Sequence, residues 1–455
     1  MHASVPPGPR PCRGHGPRPL AWLVALALAG CGGDGGGLAG LSPADDGAAG
    51  AGAPAPGVPA PSAPASAAPA RTSVGTGDGY LLVTVENELV RVAVDGSAFE
   101  VIATTEDIDF RGVPDVLDGR IHVGAQDNTI NAFDLASGEF LWESFIGVGR
   151  FDAYDVTAAT CVPGGCLIGG DNGMVMAVDP ASGSPLWSVT LRPDGDVESF
   201  LSLSTPVVVG DRAYVATGDG GTVGYVPPRL YALGLYSGEV LGSAALDGAG
   251  GTPVIADDGT LLVSAGGVLS AFDPDTLGTR WRAPVGRASD PGTDGNVVVV
   301  HADGAVGGDV QSFIAAFDLA TGAELWEVDG GSDQSLYVPI VDGGVVYAAR
   351  DDACSLPNCR SGYPVALDAA TGAALWEDRA VARVRGAPTL VGDLLVYPQI
   401  NPLAAVSATD SGMGAIDARD GSVRWVRREL SFLVGGSVFV SPEGLVRPPW
   451  APTAR

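Results

Sequence analysis

Six cysteines and four histidines are the residues of this chain best suited to redox or metal chemistry. Four of the cysteines fall in two pairs of the same spacing, Cys161-Val-Pro-Gly-Gly-Cys166 and Cys354-Ser-Leu-Pro-Asn-Cys359. A C-x4-C pair can close a short local loop, and in an exported protein it reads as a disulfide. Each bridge is expected to contribute roughly 2 kcal/mol on the chain-entropy account. Zinc is the rival reading, but it needs ligands that converge in space. Outside the first thirty residues the histidines are His122 and His301 alone, and the two pairs sit in different repeats. The expectation is therefore two separate bridges, Cys161–Cys166 and Cys354–Cys359. Other chemistry has less to work with. The 25 basic residues are all Arg, which removes Schiff-base and P-loop lysines. No G-x-S-x-G or H-E-x-x-H signature occurs.

The acidic balance narrows the partners. With 53 acidic side chains the formal charge is −28, and removing the three Arg of the leader makes the remainder more acidic still. Such a surface repels nucleic acid and anionic head groups. Residues 1–30 read as an export signal: Arg10, Arg13 and Arg18 precede an apolar run from Leu20 to Ala29, about half the length a bilayer span needs. The run ends in Leu28-Ala29-Gly30-Cys31, which resembles a bacterial lipobox, so Cys31 is the expected lipidation site. Gly32 rather than Asp follows it, which favours the outer membrane over inner-membrane retention. Residues 31–74 are then rich in Gly, Ala, Pro and Ser and carry no aromatic side chain, a composition that cannot bury a core. As a tether this segment would span roughly 35 Å as a coil and about 120 Å when stretched.

Residues 75–455 are organised by one recurring phrase. It runs from Ala132 through Asp134 and Gly138 to Trp142, and recurs at Ala177–Trp187, Ala316–Trp326 and Ala366–Trp376. Ala271–Trp281 and Ala415–Trp425 are looser copies, Ala232–Gly242 lacks the Asp and the Trp, and Val90–Glu100 keeps Gly96. The eight copies begin 39 to 55 residues apart. Alternating apolar residues make a strand, Asp caps a tight turn, Gly supplies positive φ, and the next strand carries Trp into a seam. Upstream of most copies stands a second signal, Pro followed by an apolar run, a Gly/Asp turn and another run, as at Pro206 and Pro388. Four short strands per repeat describe a propeller blade. The expected fold is all-β, a single eight-bladed β-propeller of four-stranded blades, closed by pairing the 430–446 strands with those of 80–94.

The wording Ala-x-Asp-x-x-Thr/Ser-Gly-x-x-x-Trp resembles the PQQ-like repeat of quinoprotein dehydrogenases and their non-enzymatic relatives. Together with the lipobox and tether, the architecture is similar to the propeller lipoproteins of the outer-membrane β-barrel assembly machinery. In those proteins an Arg-Gly before a strand lies in the loop that meets the barrel partner. Arg111-Gly112 and Arg385-Gly386 match that dipeptide, although Ile108 and Phe110, or Arg383 and Val384, stand where the family has leucines.

Loops of a blade fall on two faces, and those after the third strand are uniformly short. Those after the second strand are long in four blades: 217–229, 301–311, 350–363 and 398–412. Binding functions favour such loops on a rigid frame. The candidate binding side chains are Tyr225, Arg229, Arg360, Tyr363, Gln399 and Asn401, joined at the channel mouth by Arg150, Tyr154, Tyr337 and Arg385.

Three functions compete. A PQQ-dependent dehydrogenase would be expected to carry an adjacent-cysteine disulfide and a grouped Glu/Asn/Asp calcium set, and the sequence has no adjacent Cys pair. No PQQ is expected, and although acidic loops leave room for Ca²⁺, no D-x-D-x-D loop occurs. A ligand- or glycan-binding surface propeller is the second reading. The favoured one is a non-enzymatic, lipid-anchored, monomeric scaffold at the outer membrane, binding another envelope protein and no nucleic acid.

Overall fold

The strand Tyr80–Val85 reads Tyr-Leu-Leu-Val-Thr-Val and is buried at every position. A strand covered on both faces has no need of polar alternation, and its neighbours must then be sheets packed face to face. That arrangement repeats through the computed structural model. It describes residues 79–447 except 106–108, 147–155, 193–200, 221–225, 307–308, 332–336, 352–361, 379–382, 385–387, 401–410, 431–432 and 442–445. No helix occurs among the described residues, and the strands form an eight-bladed propeller of four-stranded antiparallel blades.

Blade 2 shows the pattern: Phe110–Leu117 innermost, then Arg120–Ala125, Thr129–Asp134 and Phe140–Phe145 at the rim. Blade 1 joins the two ends of the fold. Its second, third and outer strands are Tyr80–Val85, Glu88–Ala93 and Phe99–Thr104, and its inner strand is Leu433–Val440. Tyr80 lies opposite Val440 in that antiparallel pair, which is the expected closure.

Eight apolar layers hold the ring, one between each pair of neighbouring blades. Ile130, Ala132 and Trp142 of blade 2, for example, pack against Cys166, Ile168 and Met176 of blade 3. Six seams carry the tryptophan. Trp142, Trp187, Trp281, Trp326, Trp376 and Trp425 each donate Nε1–H to a turn carbonyl of the next blade: Pro180, Leu235, Leu319, Ala369, Ala418 and Val94 respectively. The indole lies over the turn glycine. A Cβ at Gly183 would stand 2.4 Å from Trp142, and at Gly421 2.7 Å from Trp376.

The two remaining seams satisfy the same carbonyl by other means. Arg91 of blade 1 donates to the Leu135 and Ala136 carbonyls of blade 2. Arg212 and Tyr214 of blade 4 both donate to the Pro274 carbonyl of blade 5, at 3.3 and 3.0 Å. The Asp of the phrase works as expected: Asp134 Oδ1 accepts from the Ala136 and Ser137 amides and from the Ser137 hydroxyl. Those bonds hold its carboxyl below the usual range.

One expectation fails. Residues 301–306, read as the start of a long loop, continue the strand Val297–Val306, which pairs in unbroken register with Asp309–Asp318 from Val297/Asp318 to Val306/Asp309. The run His301-Ala-Asp-Gly-Ala-Val lacks the apolar density of an ordinary strand, yet His301 and Ala302 are fully buried and Asp303 nearly so.

Candidate functional site

Blades 6 to 8 are joined on the face that carries the second-to-third-strand hairpins. Gly331, at the end of Glu324–Gly331, pairs in parallel with Asp351, at the end of Val345–Asp351. Gly362 pairs with Val384, and Val384 pairs in turn with Gln399. Backbone bonds that cross from blade to blade make a continuous rim there, and within blade 7 glycine at 362 lets the hairpin strands close on each other. At Gly362 a Cβ would meet the Arg350 carbonyl at 2.8 Å.

Beneath the rim His301 is fully buried. Its Nδ1 accepts from the Tyr337 amide at 3.2 Å, and the Tyr337 ring stacks on it at 5.6 Å. Burial lowers the imidazole pKa to about 4, so it is neutral. Arg287, more than half exposed, reaches Asp303 with Nε at 2.9 Å, and Arg350 pairs with Glu377. The described part of the rim therefore presents paired charges on backbone that is bonded from blade to blade.

Nearer the axis, a polar cleft of about 300 Å³ opens at the inner ends of blades 3 to 6. Thr157, Asp171, Ser204, Thr252 and Asp290 are among its lining residues. Asp290 Oδ1 accepts from the Thr252 amide at 2.9 Å, tying blade 6 to the approach of blade 5. Enclosure by protein raises its pKa to about 6. Asp115 does the same between blades 2 and 3, accepting from the Cys161 amide at 2.7 Å, and burial likewise raises it to about 6. Neither carboxylate stands out in so acidic a sequence. Their role comes from position alone.

The sequence-derived candidates separate once placed. Arg229 opens the third strand of blade 4 and donates Nε–H to the Ser243 hydroxyl at 3.0 Å, so its guanidinium is held within the blade. Tyr337 and Tyr363 are corrections: they are 4% and 6% exposed. Tyr363 lies in the apolar layer between blades 6 and 7 with Trp326 and Val299, and Tyr337 in the next with Tyr397. Both start or approach strands whose side chains alternate between two buried faces, so a tyrosine there packs inward. Gln399 contributes backbone pairing, while its side chain, like Cys31, Arg150, Tyr154, Tyr225, Cys354, Cys359, Arg360, Arg385 and Asn401, lies outside the described residues. Of the Arg-Gly pairs, Arg111-Gly112 sits in the inner strand of blade 2. Gly112 has φ +73°, and a Cβ there would strike Ala158 at 2.9 Å, so its glycine serves the contact with blade 3. Arg385-Gly386 lies outside the described residues.

The Cys161–Cys166 disulfide is present, with Cα atoms 4.0 Å apart. It closes the first hairpin of blade 3, on the face opposite the rim. Sequence spacing missed its neighbour: His122 of blade 2 comes within reach of the pair, because adjacent blades juxtapose residues about forty positions apart.

Comparison with known proteins supports the fold and names the family. The profile described as "Outer membrane protein assembly factor BamB" matches residues 53–226, 228–313 and 310–442. Curated proteins of that name from Burkholderia pseudomallei and Yersinia pestis are 25% and 24% identical over 50% and 52% of this chain. Those matches span 67% and 60% of the relatives' own lengths. Among solved structures, BamB from Moraxella catarrhalis superposes with a TM-score of 0.54 at 16% identity, covering 72% of this chain and 90% of that one. The quinohemoprotein alcohol dehydrogenase from Comamonas testosteroni gives 0.55 at 13% identity over 80% and 72%. Those likenesses establish the propeller, whereas the profile covers most of its length, and the chain belongs to the family of outer membrane protein assembly factor BamB.

Proposed function

We propose that this chain is a non-enzymatic scaffold for outer-membrane protein assembly, held at the membrane through lipid on Cys31. The observation that carries the reading is the family profile, which runs across the propeller under that description. The proposed docking surface is the bonded rim of blades 6 to 8. Partner binding there would freeze little backbone, since the strands are already joined laterally. Arg287 at its edge is a side-chain type that dominates interface hot spots. The dehydrogenase alternative would require quinone chemistry. The blades resemble that fold, but the sequence offers no adjacent cysteines for it. A ligand-binding reading retains one specific support, the polar cleft of about 300 Å³.

The test is site-specific photocrosslinking in intact envelopes. A crosslinker at Arg287 is expected to capture a β-barrel assembly component, and one at Tyr236, which is 67% exposed on the opposite face, to capture none. Capture from Tyr236 alone would move the interface to the other face. Capture from neither would favour the cleft and a small ligand. A Cys31→Ser chain is expected to leave the membrane fraction.

A further inference from the structure

We propose that the Cys161–Cys166 pair, when reduced, forms with His122 a buried three-ligand site for a soft cation, cuprous copper. The three residues offer ligand atoms that all lie within 4.8 Å of one another. His122 and Cys166 are fully buried and Cys161 is 9% exposed. The His122 ring is already set for ligation. Its Nε2 lies 3.1 Å from the Pro180 carbonyl, which can only accept, so Nε2 carries the proton and Nδ1 is a bare lone pair. That Nδ1 has no hydrogen-bond partner. A ring nitrogen donating to a backbone carbonyl while the other stays bare is the usual outer support of a metal-bound histidine. Leaving such an acceptor buried and unpaired otherwise costs about 1–3 kcal/mol.

The two sulfurs should stay together without their bond. Cys161 and Cys166 face each other across a hairpin in direct register. The Asp115 carboxylate holds the Cys161 amide at 2.7 Å, and both side chains sit in the apolar layer against Trp142 and Ile168. None of these contacts depends on the S–S bond. The donor set then selects the metal. Among the described residues no carboxylate oxygen joins the group. Zinc prefers four protein ligands at a closed site, whereas two thiolates and an imidazole in apolar surroundings suit a soft monovalent ion of low coordination number.

The chemistry balances with one co-reactant, a dithiol reductant of the cell envelope. Its two thiols become a disulfide, and two electrons and two protons pass to the Cys161–Cys166 bond, giving two thiols. The cuprous ion then displaces both thiol protons, so loading releases two protons and stays one-electron silent. Reduction would begin at Cys161, the more exposed residue of the pair. The site would fill only under reducing conditions and would be closed by the disulfide.

The experiment uses the whole chain with Cys12, Cys31, Cys354 and Cys359 changed to Ser, leaving one cysteine pair. Cuprous ion is titrated anaerobically against a chromogenic cuprous chelator, before and after reduction with a phosphine. The expected result is one equivalent bound by the reduced protein and none by the oxidised. His122→Gln, whose amide can keep the Pro180 contact, should weaken binding about 100-fold or more. X-ray absorption of the loaded, unmutated site should show two sulfurs and one nitrogen at copper, a readout that does not depend on the variant folding. Equal affinity with and without His122, a copper shell of sulfur alone, or no stoichiometric uptake would each overturn the proposal.

Discussion

Gly242 of blade 4 faces Leu277 of blade 5 across a seam that has no tryptophan, a Cβ at Gly242 standing 3.8 Å from Leu277 Cδ1. In the repeat, Gly242 occupies the Trp position and Leu277 the turn-Gly position. The large and small partners have exchanged sides. Leu277 accepts φ +54° for this and is 6% exposed. Gly242→Trp alone should crowd Leu277, and Leu277→Gly alone should open a cavity costing about 2–5 kcal/mol less any relief of backbone strain. The double variant restores the arrangement of the other seams. A double-mutant cycle in urea is expected to give a favourable coupling of about 1–3 kcal/mol. Additive effects would mean that the two positions do not share the seam.

The docking contact can be separated from the turn's backbone demand. Gly421 has φ +75°, and a methyl there would lie 2.7 Å from Trp376. Gly392 has φ +56° with nothing within 4 Å. Gly392→Ala should cost about 1 kcal/mol through backbone strain alone. Gly421→Ala should cost that plus the displacement of a buried indole, about 2 kcal/mol or more in all. Equal losses would remove the indole from the account.

The repeat was legible because each blade writes its own turn and seam residues. Asp134, Gly138 and Trp142 are local chemistry, and their spacing alone places a strand, a turn and a docking ring. The donors of the two odd seams were not legible. Arg91 and Arg212 look like ordinary strand arginines until the neighbouring blade supplies the Leu135 and Pro274 carbonyls. The same holds for His122 beside Cys161. It also explains why Tyr363 reads as a loop tyrosine, since the pairing Gly362/Asp351 that turns it inward spans a segment with no strand pattern of its own.

Stability should depend on pH through buried groups of opposite sense, Asp290 and Asp115 on one side and His301 and His122 on the other. Asp290 is raised to about 6, so between roughly pH 4 and 6 the folded state holds a proton the unfolded state has lost. Its contribution is present at low pH and is lost as pH rises through 6. His301 is lowered to about 4, so its contribution is present above about pH 6.5 and is lost as pH falls toward 4. In the native chain the two slopes oppose. Asp290→Asn keeps an acceptor for Thr252 and removes its share of the first slope. Relative to the parent, the variant should gain about 1–2 kcal/mol between pH 4.5 and 7, read from urea midpoints at unchanged m. A gain independent of pH would place an ordinary ionised carboxylate at the cleft.

Tyr363 and Arg287 distinguish a packing residue from a surface one on the same rim. Tyr363 is 6% exposed and shares its layer with Trp326, Val299 and Val365. Its truncation removes a buried ring, so Tyr363→Ala should cost about 3–5 kcal/mol. The Arg287 side chain is 59% exposed, and its pair with Asp303 is open to solvent on one side. Arg287→Ala should change stability by about 1 kcal/mol or less. Both variants can weaken capture of an envelope partner, and thermal unfolding tells the routes apart. Loss of capture with an unchanged Tm is expected for Arg287→Ala, and loss with a Tm lowered by several degrees for Tyr363→Ala. An unchanged Tm for Tyr363→Ala would return that ring to the surface and make it a direct contact.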